Sequence, residues 1–125
     1  MRLLLDSHVL WWALRGLPRL SDEAKARILD DENDVFYSPV SLYEIAFKAS
    51  RGRMPIAAMY LPEAVQFSGF HELAHTALHL VHAARLDWDH GDPWDRILLA
   101  QAHLEDMDLI SADRAFDTQT ERRLW

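Results

Sequence analysis

Residues 3–6 read Leu-Leu-Leu-Asp, an unbroken apolar run that stops at a carboxylate. A strand with one face in water alternates apolar and polar residues, whereas a strand covered on both faces is apolar throughout. The run therefore predicts a strand inside a parallel sheet, with Asp6 at its carboxyl end. A carboxylate in this position needs solvent, a partner or a metal ion.

Strand-like and helix-like segments alternate along the rest of the chain. Apolar runs predict further short strands at residues 35–37, 70–73 and 108–111. Helical spacing of apolar residues predicts the helices, at residues 9–14, 21–29, 38–51, 54–67, 75–86, 92–104 and 113–116. This alternation predicts an α/β fold, a parallel sheet covered by helices on both faces. Only Leu124 and Trp125 are apolar at the C-terminus, which leaves open whether the sheet has four or five strands.

The composition indicates one folded domain over residues 1–125. Half of the residues are hydrophobic, and 20 acidic against 13 basic side chains give a formal net charge of −7. The absence of cysteine excludes a disulfide scaffold, a thiolate zinc site and a cysteine nucleophile. Asp6 and His8 interrupt the first apolar segment too early for a secretion signal or a membrane span, so we expect a cytoplasmic protein without membrane contact.

Four acidic residues fall at equivalent places in this pattern. Asp6 ends the first strand and Asp113 follows the last clear one, while Glu44 and Asp95 lie in the first turns of helices. The carboxyl ends of parallel strands and the starts of the following helices share one edge of the sheet. We therefore expect these four carboxylates to converge.

Converging carboxylates repel one another unless a cation lies between them. Oxygen ligands suit Mg²⁺, with Mn²⁺ as a substitute, and such an ion can activate water for attack on phosphorus. The pattern predicts metal-dependent phosphodiester hydrolysis.

Three of the acids nearby also have a structural interpretation. Asp92 followed by Pro93 is typical of a helix N-cap, so Asp92 is expected to be an auxiliary acid at most. Ser41 and Glu44 have the spacing of a capping box, which would make Glu44 structural. Asp113 is also placed to cap the short helix that follows it.

Four stretches of the chain resemble the PIN-domain ribonucleases, specifically the VapC toxins of type II toxin–antitoxin modules. They are LLLDSHVLWWAL (3–14), SPVSLYEIAFKASRGRM (38–54), HGDPWDRILLAQA (90–102) and LISADRAF (109–116). In this resemblance Asp6, Glu44, Asp95 and Asp113 correspond to the family's acidic quartet around Mg²⁺, with Asp92 as an additional acid. It implies an endoribonuclease with an RNA substrate, a homodimer, and a cognate antitoxin that covers the acidic groove. On this interpretation Asp6 and Asp95 hold the metal, and Glu44 and Asp113 complete the pocket and orient or deprotonate the attacking water.

Three other functions are weighed against this hypothesis. A non-catalytic PIN-fold binding module would keep the acids for structural reasons. A haloacid-dehalogenase-type phosphatase also begins with a strand ending in aspartate, but His8 stands where its second aspartate belongs. Residues 71–75 read HELAH and match the zinc-protease pattern, yet the predicted strand and helix start would separate the two imidazoles, and no third ligand follows.

Several basic and aromatic side chains adjoin the acids in sequence. They are candidates for contacts with phosphates and bases around the rim of the site: Lys48, Arg51, Arg53, Arg96, Arg114 and Trp94. A solvated charge or an ion pair is the simpler interpretation of any single one of the basic residues.

Overall fold

A computed structural model describes residues 1–16 and 18–125, in which five strands form a single sheet. The strands are β1 (Arg2–Leu5), β2 (Asp34–Tyr37), β3 (His71–Glu72), β4 (Asp108–Ile110) and β5 (Arg123–Leu124). Their order is β3-β2-β1-β4-β5, and every neighbouring pair is parallel. The predicted α/β class and parallel sheet are confirmed, and the C-terminal residues supply the fifth strand.

Six α-helices and two short 3₁₀-helices connect these strands in the described residues. The α-helices are α1 (Ser7–Arg15), α2 (Asp22–Leu29), α3 (Pro39–Ser50), α4 (Leu61–Gln66), α5 (Ala77–Arg85) and α6 (Pro93–Leu104); the 3₁₀-helices span Ile56–Tyr60 and Arg114–Thr118. The described part of the chain contains no helix that is long and apolar enough to span a bilayer.

The helix predicted at residues 54–67 is wrong as a continuous element. The structure has a 3₁₀-helix at Ile56–Tyr60, followed by α4, with Pro62 in the first turn of α4. Proline has no N–H to donate, and its ring clashes with the carbonyl group four residues earlier. One α-helix therefore cannot run through this position, and a new one starts there.

The central strand β1 is covered on both faces, as its sequence predicts. Leu3, Leu4 and Leu5 are all 0% exposed. Leu3 and Leu5 pack in the core formed with α1 and α3, whereas Leu4 packs with Leu98 and other residues of α6 on the opposite face. The sheet is thus the middle layer, and the residue after Leu5 emerges at its carboxyl edge.

Arg96 fixes the loop that leads into α6. Its guanidinium donates hydrogen bonds to the backbone carbonyl groups of Ala83 (3.1 Å), Leu86 (2.8 Å), Trp88 (2.7 Å) and His90 (3.1 Å). A guanidinium presents its donors in a rigid planar fork, which suits several acceptors at once. Arg96 is therefore a structural residue that holds the loop around His90, and the hypothesis that it contacts phosphate at the rim is wrong.

Arg96→Lys is expected to lower the free energy of unfolding by about 2 kcal/mol, because an ammonium group cannot reach all these carbonyl groups and leaves some without a donor. Urea denaturation measures the change. Arg85→Lys, at an exposed position on α5, is the control and should change stability by less than about 0.5 kcal/mol. Equal stability of the two variants would contradict the structural role of Arg96.

Candidate functional site

Backbone pairing brings the ends of β1 and β4 together at the carboxyl edge of the sheet. Leu5 is paired with Ile110, and the Asp6 N–H donates to the Ile110 carbonyl group over 3.1 Å. Just beyond β4, the Ser111 hydroxyl accepts a hydrogen bond from the Asp113 N–H over 3.0 Å. The first and last acids of the predicted quartet thus follow adjacent strands.

Asp6 is a buried carboxylate that also caps α1. It is 6% exposed, and its Oδ1 accepts the Val9 N–H over 2.8 Å. Burial raises the pKa of Asp6 above its ordinary value, and the charge of Glu44 adds to the increase. Hydrogen bonds from Ser111 and Val9 and the nearby His8 oppose it. The ionised form of Asp6 therefore carries a desolvation cost that a nearby cation would reduce.

Glu44 is held at both carboxylate oxygens. Its Oε1 accepts the Ser7 hydroxyl over 2.7 Å, its Oε2 accepts the Lys48 ammonium group over 2.5 Å, and its side chain is buried. The alternative interpretation of Ser41 and Glu44 as a capping box is wrong. The N-cap of α3 is Ser38, whose hydroxyl accepts the Val40 N–H, so Glu44 lies beyond the first turn and faces α1 instead.

Asp95, Asp113 and His90 form a cluster at the start of α6. One potential ligand atom from each lies within 4.8 Å of the other two. His90 Nε2 and Asp95 Oδ2 are 2.7 Å apart. Asp113 is exposed, and its Oδ1 also accepts the Ala115 N–H, so its capping role is confirmed.

The carboxylate of Asp95 titrates far from its ordinary range. Its pKa is raised to about 6, first by burial and then by the charges of Asp92 and Glu44, while the hydrogen bond and charge of His90 act in the opposite direction. The charge of Glu44 therefore raises the pKa of both Asp6 and Asp95, so these two carboxylates are electrostatically linked through Glu44. We refer to Asp6, Glu44, Asp95 and Asp113 as the acidic site.

Asp92 is the N-cap of α6, as predicted. Its Oδ1 accepts the N–H groups of Trp94 (2.9 Å) and Asp95 (3.3 Å), with Pro93 in the first helical turn. Its influence on the acidic site is through charge, since it raises the pKa of Asp95.

The donor atoms of His90, Asp95 and Asp113, which lie within 4.8 Å of one another, fit a divalent cation. Asp6 and Glu44 are outside that cluster, and the charge of Glu44 acts on it by raising the pKa of Asp95. Carboxylate oxygens dominate the set, and the pKa of Asp6 and that of Asp95 are raised in part by neighbouring carboxylates. A bound cation would favour the ionised forms of all these groups. The assignment of the four acids as metal ligands stays a prediction.

His90 belongs to the site, although sequence reasoning did not select it. Its ring stacks on Trp88 with 4.6 Å between centroids, and its carbonyl group is held by Arg96. The available signal was its position five residues before Asp95, just ahead of the Asp92 helix cap. Periodicity did not reveal it, because residues 86–92 are a loop.

The other candidate side chains that the structure places near Glu44 are Trp94, Arg51 and Lys48. Toward α6, the rings of Tyr43 and Trp94 are 5.2 Å apart and those of Phe47 and Trp94 are 6.3 Å apart. Arg51 lies over the Phe47 ring at 5.1 Å. Lys48 binds Glu44 directly.

The two histidines of the zinc-protease pattern are not on one helix. His71 lies in β3, and His75 precedes α5, which begins at Ala77. Neither belongs to the metal-compatible cluster found in the described part of the chain.

Comparison with known proteins gives one family and several solved structures. The family model described as "PIN domain" matches residues 3–121. None of the curated proteins matches the chain in sequence.

The solved structures share the fold at low sequence identity. VapBC2 from Rickettsia felis, bound to a DNA fragment from its promoter, has a TM-score of 0.68 at 15% identity, over 94% of this chain and 92% of that one. DNA-bound VapBC from Salmonella typhimurium has a TM-score of 0.71 at 14% identity, over 99% and 97%. A toxin–antitoxin complex from Klebsiella pneumoniae has a TM-score of 0.63 at 17% identity, over 98% and 95%.

Asp95→Asn is expected to stabilise the metal-free protein at pH 7 by about 2 kcal/mol. The folded-state pKa of about 6 lies above the ordinary value of 3.8, so ionised Asp95 destabilises the fold above pH 6. This penalty decreases as the pH falls through 6 and disappears below about 4. Chemical denaturation in EDTA at a series of pH values should therefore show the largest difference between variant and wild type at neutral pH. A constant difference across that range would contradict the perturbed carboxylate.

Proposed function

This chain belongs to the PIN-domain family, as its sequence predicts, and on that premise we propose that it is a Mg²⁺-dependent endoribonuclease of the VapC toxin type. Residues 1–125 would form one such domain. The observation that carries the proposal is the meeting of Asp95, Asp113 and His90 donor atoms within 4.8 Å, electrostatically joined to Asp6 through Glu44. Carboxylates grouped at one edge of a parallel sheet are suited to holding a divalent cation against a phosphodiester.

We assign metal binding to Asp6 and Asp95, completed by Glu44 and Asp113. Bound there, Mg²⁺ would supply positive charge that polarises the phosphodiester and lowers the pKa of water, and Mn²⁺ would substitute for it. Ser7 and Lys48 each occupy one oxygen of Glu44, which keeps that carboxylate in a fixed orientation. Glu44 is therefore a poor candidate for taking a proton.

Asp113 is the better placed acceptor for the proton of the attacking water. It is exposed at the mouth of the site, and its backbone is fixed by Ser111. In the proposed hydrolysis, the water oxygen forms a bond to phosphorus, a bond from phosphorus to a ribose oxygen breaks, and the proton released by the water passes to Asp113. The leaving oxygen takes a proton from solvent.

A non-catalytic PIN-fold binding module is the alternative. The acidic site argues for activity, because burial and mutual repulsion raise the pKa of both Asp6 and Asp95. Helix capping alone does not require a charged side chain, since serine and asparagine also accept hydrogen bonds from the first N–H groups of a helix. A purely structural role therefore does not explain why carboxylates occupy these positions. Perturbed carboxylates grouped in this way are typical of functional sites.

Asp6→Asn is expected to reduce RNA cleavage at least about 100-fold, because it removes a charged metal ligand from the site. A single-stranded RNA carrying a fluorophore and a quencher measures the rate with Mg²⁺ and with EDTA. Asp31→Asn is the matched control, since Asp31 is exposed and precedes β2 at the opposite edge of the sheet. A folded Asp6→Asn protein with wild-type activity, or activity that resists EDTA, would overturn the proposal.

We further propose that an antitoxin with a basic segment covers the acidic site. Three of the solved structures with this fold are VapBC or toxin–antitoxin complexes. Four carboxylates in one site attract an arginine or lysine side chain in the absence of metal and RNA. Exposed apolar side chains on the segment from Ile56 to Phe67 are consistent with a homodimer or another protein contact.

The product of a short reading frame adjacent to the gene is the antitoxin candidate to test. Added in excess to the purified enzyme, it is expected to suppress RNA cleavage nearly completely. Truncating its basic C-terminal segment should restore cleavage. Equal cleavage with and without the saturating full-length partner would contradict this role.

A further inference from the structure

A positively charged groove lies beside the acidic site, between α1 and the end of α3. Its volume is about 600 Å³. Its walls carry four basic side chains and two indole rings: Arg15, Arg19, Lys48, Arg53, Trp11 and Trp12. We refer to it as the cationic groove.

The positive charge of this groove is only partly neutralised by the protein, because Lys48 binds Glu44 whereas the three arginines have no carboxylate partner in the described residues. In residues 1–16 and 18–125, none of the ion pairs involves Arg15, Arg19 or Arg53. No aspartate or glutamate lines the groove within the same described residues. Because the chain as a whole has a net charge of −7, a concentration of unpaired arginines points to an anionic ligand.

The groove is continuous with the acidic site through two side chains. Lys48 lines the groove and binds Glu44. His8 also lines the groove, and it lies in α1, two residues after Asp6. A ligand in the groove therefore reaches the edge of the carboxylate cluster.

We infer that the cationic groove binds the phosphate backbone of single-stranded RNA and leads one phosphodiester to the acidic site. This inference rests on the proposed function, since it names how the substrate of that site is held. The groove requires a ligand with negative charges, and the acidic site requires a ligand that binds together with a divalent cation. A phosphodiester chain meets both requirements. An acidic peptide would also pair with the arginines, but it has no bases to stack on the aromatic side chains of the groove.

The aromatic side chains of the groove favour a single strand. Trp12 is half-buried, with its ring 5.8 Å from that of His8 and 5.9 Å from that of Trp125. Arg15 lies over the Trp11 ring at 5.3 Å. Trp11 itself is only 7% exposed, so Trp12 and Arg15 provide the surfaces that can stack on unpaired bases, whereas the bases of a duplex are already stacked on one another.

Binding of RNA can be measured without cleavage. A fluorescein-labelled single strand of about 12 nucleotides is titrated with the protein in EDTA at low salt, and anisotropy gives the Kd. The double variant Arg19→Gln/Arg53→Gln is expected to bind about tenfold more weakly than wild type. The slope of log affinity against log salt should decrease by about 0.7 for each phosphate that the variant no longer neutralises.

Arg85→Gln is the matched control, because Arg85 is an exposed arginine on α5 that does not line the groove. It should leave affinity and salt slope unchanged. Thermal melting checks that each variant is folded. Equal affinity of the double variant and wild type would overturn the inference.

Two competitors test the chemical class of the ligand. A polyglutamate peptide of similar length and an RNA duplex are each expected to compete at least about tenfold less well than the unlabelled single strand. Equal competition by the peptide would make the groove a general anion or acidic-peptide site, and equal competition by the duplex would remove the preference for single strands. Because EDTA prevents metal-dependent cleavage, failure here is distinct from failure of the nuclease proposal, which the Asp6→Asn cleavage assay tests.

Discussion

The hydrogen bond from the Asp6 N–H to the Ile110 carbonyl group is the contact on which the rest of the site depends. It continues the parallel pairing of β1 and β4 one residue past Leu5, at the point where the buried strand leaves the core. This bond fixes the backbone of Asp6 next to the end of β4, and one oxygen of its side chain caps α1. The apolar sheet therefore brings Asp6 and Asp113 to the ends of adjacent strands.

The carboxylates of the acidic site repel one another, and hydrogen bonds from residues outside the site hold them in place. Ser7 and Lys48 fix Glu44, and Arg96 binds the carbonyl group of His90 and three others around it. The raised pKa values of Asp6 and Asp95 are the electrostatic consequence of holding them there. Such a site gains stability when a cation binds, so ligand binding and folding stability are coupled in this protein.

The path that we propose for RNA has a positively charged part, the cationic groove, and a negatively charged part, the acidic site. The acidic site needs a cation before it can accept a phosphate, whereas the cationic groove can hold the backbone directly. Lys48 lies where the two regions meet and is shared between them. The net charge of −7 therefore does not predict the charge of the ligand, because the arrangement of charges in space decides where an anion can bind.

The sequence by itself determined the central strand, the alternation of strands and helices, and the caps at Asp92 and Asp113. It also selected the four acids as candidate site residues. These follow from apolar period, helix-capping chemistry and the rule that parallel strands share one carboxyl edge, which are all local or topological properties. Only the tertiary structure decided the role of Glu44, the place of His90, the binding of Arg96 to carbonyl groups, and the gathering of Arg15, Arg19 and Arg53 into one groove. These depend on which side chains from distant segments come within a few ångströms of one another, and no spacing along the chain records that distance.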